Sequence, residues 1–262
     1  MAGSSTTEHD AGPIAQRLPM IFEMRCYVLK TGTSEAFMQA QHDRGFELVR
    51  PALERLVGFF QGMTGEAEEV VHLYRYDDLN DWMARLQSTC GVAALEPYFR
   101  TVREIARSQE SSFLLAAPDA VLSPHWNASS DWLPAQGAIG PLHDAWPLGG
   151  GLLIEFTRYQ LAPGHLAHFW PLLHDLEQSV DASARGVLIG HFSSWIGPLH
   201  NVYCLRMFRS AAQQQASRAA FRRSAAWEAF TRQAAPMLQR QHSRWMRPFS
   251  IPQLSPWLAG PG

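Results

Sequence analysis

Two stretches of this chain alternate between hydrophobic and polar residues in the same way. Residues 20–32 read MIFEMRCYVLKTG and residues 152–164 read LLIEFTRYQLAPG. A period of two predicts a half-buried β-strand, and the glycine that closes each stretch predicts a turn. Glu23 is separated from Glu155 by the same length of chain as Tyr27 from Tyr159. Many further identities occur at this constant offset, so the chain is a tandem repeat.

Each repeat shows the element order β-α-β-β-α-β, which is the order of a ferredoxin-like unit. In the first repeat we predict strands at 22–29, 58–63, 69–76 and 109–115, and a helix from residue 33 or 34 to about residue 56. Helical spacing predicts that this helix packs on a core through Met38, His42, Phe46, Val49 and Leu53. The second repeat has its first and third strands at 152–161 and 202–208. The predicted fold class is α+β, with two ferredoxin-like (βαββαβ) units in one chain.

The sequence divides into five segments. Residues 1–19 form an expected disordered leader, 20–118 the first unit, 119–150 a linker, 151–250 the second unit and 251–262 a tail. The linker is rich in Pro, Gly and Ser, but it also contains Trp126, Trp132 and Trp146. Because a docked aromatic side chain buries a large apolar area, we expect the linker to pack on the folded units.

Composition limits the classes of function. A formal net charge of −2 gives no reason to expect nucleic acid or an anionic membrane as a partner. The chain has no run of eighteen apolar residues, so we expect no membrane span. Its three cysteines lack metal-like spacing and are expected to stay reduced, which favours a cytoplasmic location. The leader lacks the basic start and apolar centre of a signal peptide.

Polar and aromatic side chains share one face of two predicted strands in the first repeat. These candidates are Glu23, Arg25, Tyr27, His72, Tyr74 and Tyr76. On one interpretation they form a catalytic pocket, in which the arginine binds an anionic group, the histidine or the glutamate moves a proton, and the tyrosines bind substrate. On the other interpretation they are structural, an Arg–Glu pair with tyrosines that fill an interface.

The second repeat keeps only part of this set. At the equivalent positions, Thr157 replaces Arg25 and Cys204 replaces His72. Likewise, Arg206 replaces Tyr74 and Phe208 replaces Tyr76. This asymmetry predicts that the working pocket lies in the first repeat. Drift after duplication is the alternative explanation.

A His-Asp pair recurs on the main helix of both repeats, as His42-Asp43 and His174-Asp175. Adjacent helical residues do not face each other, so the pair is not a catalytic dyad by itself. His42 is a second candidate proton carrier, although a histidine on an apolar face is more often a core residue. His174 and Tyr159 are candidate substrate-binding residues of the second repeat.

Other kinds of chemistry leave no signature in the sequence. It contains no phosphate-binding glycine loop, no G-x-S-x-G elbow and no dinucleotide fingerprint. Its eleven histidines lack zinc-site spacing, so we expect neither a metal nor a cofactor. Haem is left open, because one histidine suffices as its ligand and leaves no motif.

Together, these motifs resemble the NIPSNAP family. They are Glu23-x-Arg25-x-Tyr27 on the first strand, Gly58-x-Phe60 on the second, Val71-His72-Leu73-Tyr74-x-Tyr76 on the third and Gln109-Glu110-Ser111 at the end of the unit. The resemblance covers the first repeat fully and the second more loosely. It implies a dimeric α/β-barrel fold, here a pseudo-dimer formed within one chain. The structural relatives that it implies include cofactor-free monooxygenases, isomerases, cyclases and some haem proteins, so the fold does not determine a function.

The expected function is that of a cofactor-independent enzyme. It would act on a small, largely apolar metabolite by an isomerase, cyclase or monooxygenase step in bacterial secondary or catabolic metabolism. The alternative is a non-catalytic module that binds a small molecule or another protein. A cavity that reaches His42 or His72 would favour the enzyme, and a filled interior would favour the module. Besides a small molecule, a second copy of the chain is a candidate partner, which would form a homodimer.

Overall fold

The computed structural model describes residues 20–126 and 151–256 of the chain. The first unit consists of β1 (Ile21–Leu29), α1 (Ser34–Arg44), α2 (Arg50–Leu53), β2 (Leu56–Gly62), β3 (Glu69–Tyr76), α3 (Leu79–Thr89), α4 (Glu96–Ile105) and β4 (Ala106–Ala116). The second unit consists of β5 (Leu153–Leu161), α5 (Leu166–Gln178), α6 (Ala182–Arg185), β6 (Val187–Ile196), β7 (Asn201–Phe208), α7 (Ala211–Arg223), α8 (Ala225–Ala234) and β8 (Leu238–Pro248). Short 3-10 helices occur at Ala93–Leu95 and Pro252–Leu254.

The eight strands close into one barrel in the order β1-β3-β2-β8-β5-β7-β6-β4. All neighbouring strands are antiparallel, so β1 and β5 run in the same direction along the barrel. The two units join through the β2–β8 and β4–β6 pairs. β5 repeats β1, and β8 repeats β4, at the offset found in the sequence. The predicted fold class is confirmed, and the predicted strand bounds lie close to those observed.

The barrel interior is a hydrophobic core to which both units contribute. Its members include Phe22 and Leu73 from the first unit and Phe156 and Phe192 from the second. Alternation along β1 explains this face, because the residues at even positions point inward. The interior is therefore packed with side chains near its centre.

Trp126 connects the linker to this core. Its side chain is 4% exposed and lies edge-on to Phe22, with ring centroids 5.0 Å apart. The indole Nε1 donates a hydrogen bond to the carbonyl oxygen of Ile189 at 2.7 Å. The predicted burial of Trp126 is confirmed, whereas Trp132, Trp146 and the 1–19 leader lie outside the described residues.

Two further cores form between the outer face of each sheet and its helices. The first includes Tyr27, Phe37 and Tyr74, and the second includes Phe169 and Phe230. Each unit thus has a helix-facing side that is separate from the barrel interior. The candidate site residues of β1 and β3 point to this outer side.

The predicted first helix differs from the structure in length and in phase. The helix ends at Arg44, where Gly45 adopts a positive φ of 70°, and α2 follows as a separate short helix. The buried residues of α1 are Phe37 and Gln41. The predicted placement of His42 on the core face is wrong, because its side chain is 74% exposed. A polar residue, Gln41, occupies the core position that the hydrophobic pattern assigned to His42.

Candidate functional site

The first-unit candidates form a tightly bonded cluster between the sheet and the helices. Glu23 is 3% exposed and accepts hydrogen bonds from Arg25 Nη2 at 2.7 Å, Trp82 Nε1 at 3.0 Å and Ser111 Oγ at 2.7 Å. The guanidinium of Arg25 also lies 4.9 Å from the centre of the Tyr74 ring. Burial by itself would lower the pKa of Arg25. The hydrogen bond to Glu23 and the negative charge of Glu23 outweigh burial, so the pKa of Arg25 is raised. Both oxygens of this carboxylate are therefore occupied by groups of the protein.

His72 is enclosed by aromatic rings. It stacks on Phe59 with ring centroids 3.4 Å apart and planes at 7°. Burial, and then the positive charges of Arg25 and Arg44, hold the His72 pKa well below its usual range. Burial also raises the pKa of Tyr27 to about 12. His72 is thus neutral and packed, and its Nε2 has no hydrogen-bond partner among the described residues.

The second unit has a partly open cavity of about 360 Å³ at the equivalent place, between the outer face of its sheet and its helices. This volume lies within the range of small-molecule pockets, about 300–1,000 Å³. The walls come from four strands and three helices. Its lining residues include Glu155, Thr157, Tyr159, Glu177, His191, Cys204, Arg206, Arg218, Phe221 and Trp227.

The cavity lies where the second unit has smaller side chains than the first. Arg25 on β1 is paired with His72 on β3, and the long arginine and the imidazole occupy the space above the sheet. At the same register of the second unit, Thr157 on β5 is paired with Cys204 on β7. A threonine and a cysteine occupy much less volume than an arginine and a histidine. The substitutions that mark the second repeat therefore remove side-chain volume from this interface.

Buried charges form one wall of the cavity. Arg206 on β7 donates a hydrogen bond to Glu177 Oε1 on α5, and the two side chains are 7% and 5% exposed. His191 Nε2 on β6 lies 3.8 Å from the same oxygen. Arg185 donates to the Glu177 carbonyl oxygen and accepts a bond from Arg206 at its own carbonyl oxygen. The charge of Glu177 is thus held between two arginines.

Two atoms of this cluster lack partners. Glu177 Oε2 and His191 Nδ1 are buried and make no hydrogen bond with any described residue, although Arg185 Nη1 lies 3.8 Å from Glu177 Oε2. A buried polar atom without a partner costs about 1–3 kcal/mol. Burial, together with the charge of Arg206 and against that of Glu177, lowers the His191 pKa to about 4. The imidazole is therefore neutral at physiological pH and has an acceptor or donor position to spare.

The remaining wall combines a thiol, aromatic groups and a surface ion pair. Burial raises the pKa of the Cys204 thiol to about 12, so this cysteine is protonated. Phe221 lies 5.6 Å from the Arg206 guanidinium, and Trp227 packs near Phe230. At the outer edge, Arg218 donates to Glu155, and its side chain is 42% exposed. The lining of the cavity thus combines apolar and aromatic side chains with polar and charged ones in about equal parts.

The sequence-predicted site residues are divided between the two units. Tyr159 lines the cavity, as its predicted substrate-binding role requires. His174 lies on the linker side of α5, with Nδ1 3.3 Å from Asp119 Oδ1, and does not line the cavity. His42 is exposed beside Asp43. The structure brings together Glu23, Arg25 and Tyr74, but this group fills an interface.

Sequence reasoning missed Glu177 and His191. The first repeat has Gly45 and Phe59 at the equivalent positions, so comparison of the two repeats offered no pattern to notice. The one signal was Arg206, which replaces Tyr74 on a strand that is otherwise buried. A buried arginine requires an acidic partner, and that requirement could have directed attention to α5.

Within 20–126 and 151–256, no three His, Cys, Asp or Glu side chains are grouped so that they could hold a metal ion. In the same ranges, no helix combines the length and the hydropathy needed to cross a bilayer.

The fold defines a class, the α/β barrels built from two ferredoxin-like units. A proposed monooxygenase from Fusobacterium nucleatum has this fold, with a TM-score of 0.58, 9% identity, and 88% of this chain and 93% of that chain covered. A second from Lactobacillus acidophilus gives a TM-score of 0.54 at 8% identity, with 88% and 94% covered. These likenesses show the fold alone.

The NIPSNAP family model matches residues 22–120 and 154–253, so the chain belongs to the NIPSNAP family. Human protein NipSnap homolog 2 is 25% identical over 209 residues, or 76% of this chain. The chain spans 62% of the length of that relative. The resemblance inferred from the strand motifs is confirmed in both repeats.

Proposed function

We propose that the second-unit cavity binds a small, largely apolar metabolite that carries one polar group. The observation that supports this is the cavity of about 360 Å³, which has an aromatic wall and one buried charged cluster. In small-molecule sites, hydrophobic and aromatic side chains bury the ligand and polar groups orient it; the aromatic wall and the charged cluster could play these two parts here. Glu177 Oε2 and His191 Nδ1 make no hydrogen bond with a described residue, and a ligand hydroxyl group could donate to either of them.

The proposed reaction is a proton abstraction, as in an isomerase, a cyclase or a cofactor-independent monooxygenase. His191 is neutral above its pKa of about 4 and can accept a proton from a carbon next to a carbonyl group. The oxygen of the resulting enolate would accept hydrogen bonds from the guanidinium of Arg206. Glu177 would stabilise the imidazolium through Oε1.

The three free thiols, Cys26, Cys90 and Cys204, support a cytoplasmic location.

A flat apolar alcohol, 1-naphthol, tests the binding step. We expect saturable quenching of tryptophan fluorescence, because Trp227 lines the cavity. Cys204→Phe should abolish this binding, since a phenyl ring is larger than the thiol group that it replaces and fills the cavity. Cys90→Phe is the matched control, because Cys90 is exposed and should bind 1-naphthol as the unchanged protein does. Equal affinity in both variants would contradict binding at this cavity.

Once a substrate is found, the catalytic step is tested by comparing the two units. His191→Gln and Arg206→Lys should lower kcat by about 10²-fold or more, as loss of a general base or of an oxyanion donor does. His72→Gln and Arg25→Gln test the first-unit site predicted from sequence. If these first-unit changes abolish turnover in folded protein, and the second-unit ones leave it intact, the proposal fails.

An interaction module is the second candidate, and one surface favours it. The β6–β7 hairpin exposes Trp195, Ile196 and Leu199, which are 40%, 47% and 56% accessible. Large exposed apolar side chains that cluster often mark interaction sites. If 1-naphthol does not bind, and Trp195→Ser with Leu199→Ser converts a homodimer to a monomer in light scattering, this candidate is preferred.

A further inference from the structure

A group of basic side chains, three arginines and one histidine, lies at one end of the barrel, on the opposite face of β5 and β8 from the second-unit cavity. Arg158, Arg240, His242 and Arg244 point toward the barrel axis, whereas Thr157, Tyr159 and Ser243 face the helices. The cations surround a space of about 140 Å³. Arg158 and Arg244 also line an adjoining space of about 170 Å³.

The strand register places these cations next to one another. Arg158 on β5 is directly opposite His242 on β8, and Gln160 is directly opposite Arg240. Arg240 and Arg244 are the diagonal cross-strand neighbours of Arg158, and diagonal neighbours lie within reach of long side chains. Positive charges held this close repel one another. A ligand of negative charge would relieve this repulsion.

The protein itself neutralises only part of the charge. Arg244 Nη2 is bonded to Glu69 at 2.8 Å, but its buried Nε has no hydrogen-bond partner among the described residues. Arg158 Nε donates to Asn201 Oδ1 at 2.8 Å, and an amide supplies no charge. Within residues 20–126 and 151–256, neither Arg158 nor Arg240 forms an ion pair with a carboxylate, although Glu110 lines the adjoining space.

The fold does not require these cations. At the equivalent positions of the first repeat, the chain has Cys26, Ser108, Glu110 and Ser112. The two units build the same strands with and without the basic side chains. The basic group is therefore specific to one side of the barrel end.

We propose that this barrel-end cluster binds a phosphate-type oxyanion. Arginine presents a planar fork of donors that matches phosphate oxygens, and charge-assisted hydrogen bonds are about twice as strong as neutral ones. Arg158, Arg240 and the unpartnered Nε of Arg244 supply the donors. The space of about 140 Å³ exceeds the ~10–15 Å³ that a single water needs. The ligand is either free phosphate or the phosphate ester of a larger molecule.

Thermal unfolding with inorganic phosphate tests the proposal. At constant ionic strength, phosphate should raise the Tm of the unchanged protein, and chloride should not. Arg158→Gln and Arg240→Gln should each weaken phosphate binding by about tenfold or more. Without phosphate, Arg240→Gln should be as stable as the unchanged protein or more stable, because one of several close positive charges is gone. Arg158→Gln also loses the bond to Asn201, so its phosphate effect is measured against its own Tm without phosphate.

Controls separate this site from general screening. Arg232→Gln changes an exposed arginine of α8 and should leave the phosphate effect unchanged. Glycerol 3-phosphate in place of phosphate distinguishes a phosphate ester from free phosphate. Tighter binding of glycerol 3-phosphate would identify an ester as the ligand, and tighter binding of phosphate would identify the free ion. If phosphate stabilises Arg158→Gln and Arg240→Gln as much as the unchanged protein, or chloride acts equally, the proposal is wrong.

Discussion

Thr157 on β5 and Cys204 on β7 are direct cross-strand neighbours, and both line the second-unit cavity. Their counterparts, Arg25 and His72, form the same cross-strand pair in the first unit and are packed against tyrosine and phenylalanine rings. One fold therefore contains a filled and an unfilled version of the same interface. The difference lies in side-chain volume, and it can be reversed by substitution.

The first prediction is that the cavity can be filled by giving the second unit the larger side chains of the first. Thr157→Arg combined with Cys204→His gives the second unit the pair found in the first, and the new side chains should occupy the cavity. Glu155 stands where Glu23 does, so the new arginine has a carboxylate nearby. We expect the affinity for 1-naphthol, measured by fluorescence titration, to fall by more than about tenfold, which corresponds to ~1.4 kcal/mol. The thermal unfolding midpoint checks that the variant folds.

The reverse change supplies the control for that experiment. Arg25→Thr combined with His72→Cys alters the same two positions of the first unit and should leave the affinity of the second-unit cavity for 1-naphthol unchanged, while any cavity that it opens in the first unit would appear as a second binding event. A double variant of the second unit that still binds at full affinity would show that the ligand occupies a different place.

The second prediction concerns the buried ion pair of Arg206 and Glu177. Arg206→Met leaves the carboxylate of Glu177 buried with weaker compensation, and breaking a buried pair in this way costs about 3–5 kcal/mol. Adding Glu177→Leu removes the second charge and should recover much of that loss. Urea denaturation measures the free energy of unfolding for each variant.

An exposed pair provides the comparison. Arg232 and Glu228 are 3.6 Å apart, and their side chains are 68% and 82% exposed. Arg232→Met should cost about 0–0.5 kcal/mol, because solvent screens such pairs. If Arg206→Met costs no more than this, the charges of the cavity wall are not coupled as described.

The repeat allowed the fold to be predicted from sequence, but not the site. A constant offset between matching residues and the alternation of β1 and β5 were enough to predict two ferredoxin-like units. The phase of α1 was wrong, because Gln41 rather than a hydrophobic residue takes the core position. The loss of Arg25 and His72 from the second repeat suggested a lost function, whereas it removes volume. Glu177 and His191 come from separate elements, and only the three-dimensional structure brings them to Arg206.

The third prediction concerns acid stability. The His191 pKa is lowered from 6.5 to about 4 in the folded protein, mainly by burial. Between these values the unfolded chain binds a proton that the folded chain does not, so the free energy of unfolding falls as the pH is lowered through this range. At pH 5 the expected loss from this residue alone is about 2 kcal/mol relative to pH 7. His72 acts in the same direction, because its pKa is also lowered by burial.

Urea denaturation at these two pH values measures the effect. His191→Gln and His72→Phe should each reduce the difference in unfolding free energy between neutral and acid conditions, and the two reductions should add. The sites lie in different units, so little coupling is expected. An acid loss that is unchanged in the double variant would have to arise from other groups.

The last prediction separates the two interpretations of the first-unit cluster. Glu23 accepts bonds from Arg25, Trp82 and Ser111, so Glu23→Gln weakens an ion pair and disturbs two further bonds. If the cluster is structural, unfolding in urea should show a loss of about 1.5–3 kcal/mol, the contribution of a hydrogen bond to a charged group. The affinity for 1-naphthol should stay within about twofold, because Glu23 does not line the second-unit cavity. Glu177→Gln is the matched change in the second unit and should alter both stability and affinity, since Glu177 lines that cavity and holds Arg206. Glu23→Gln protein that is as stable as the unchanged protein but no longer binds the ligand would place the working site in the first unit, and the structural interpretation of Glu23 and Arg25 would be wrong.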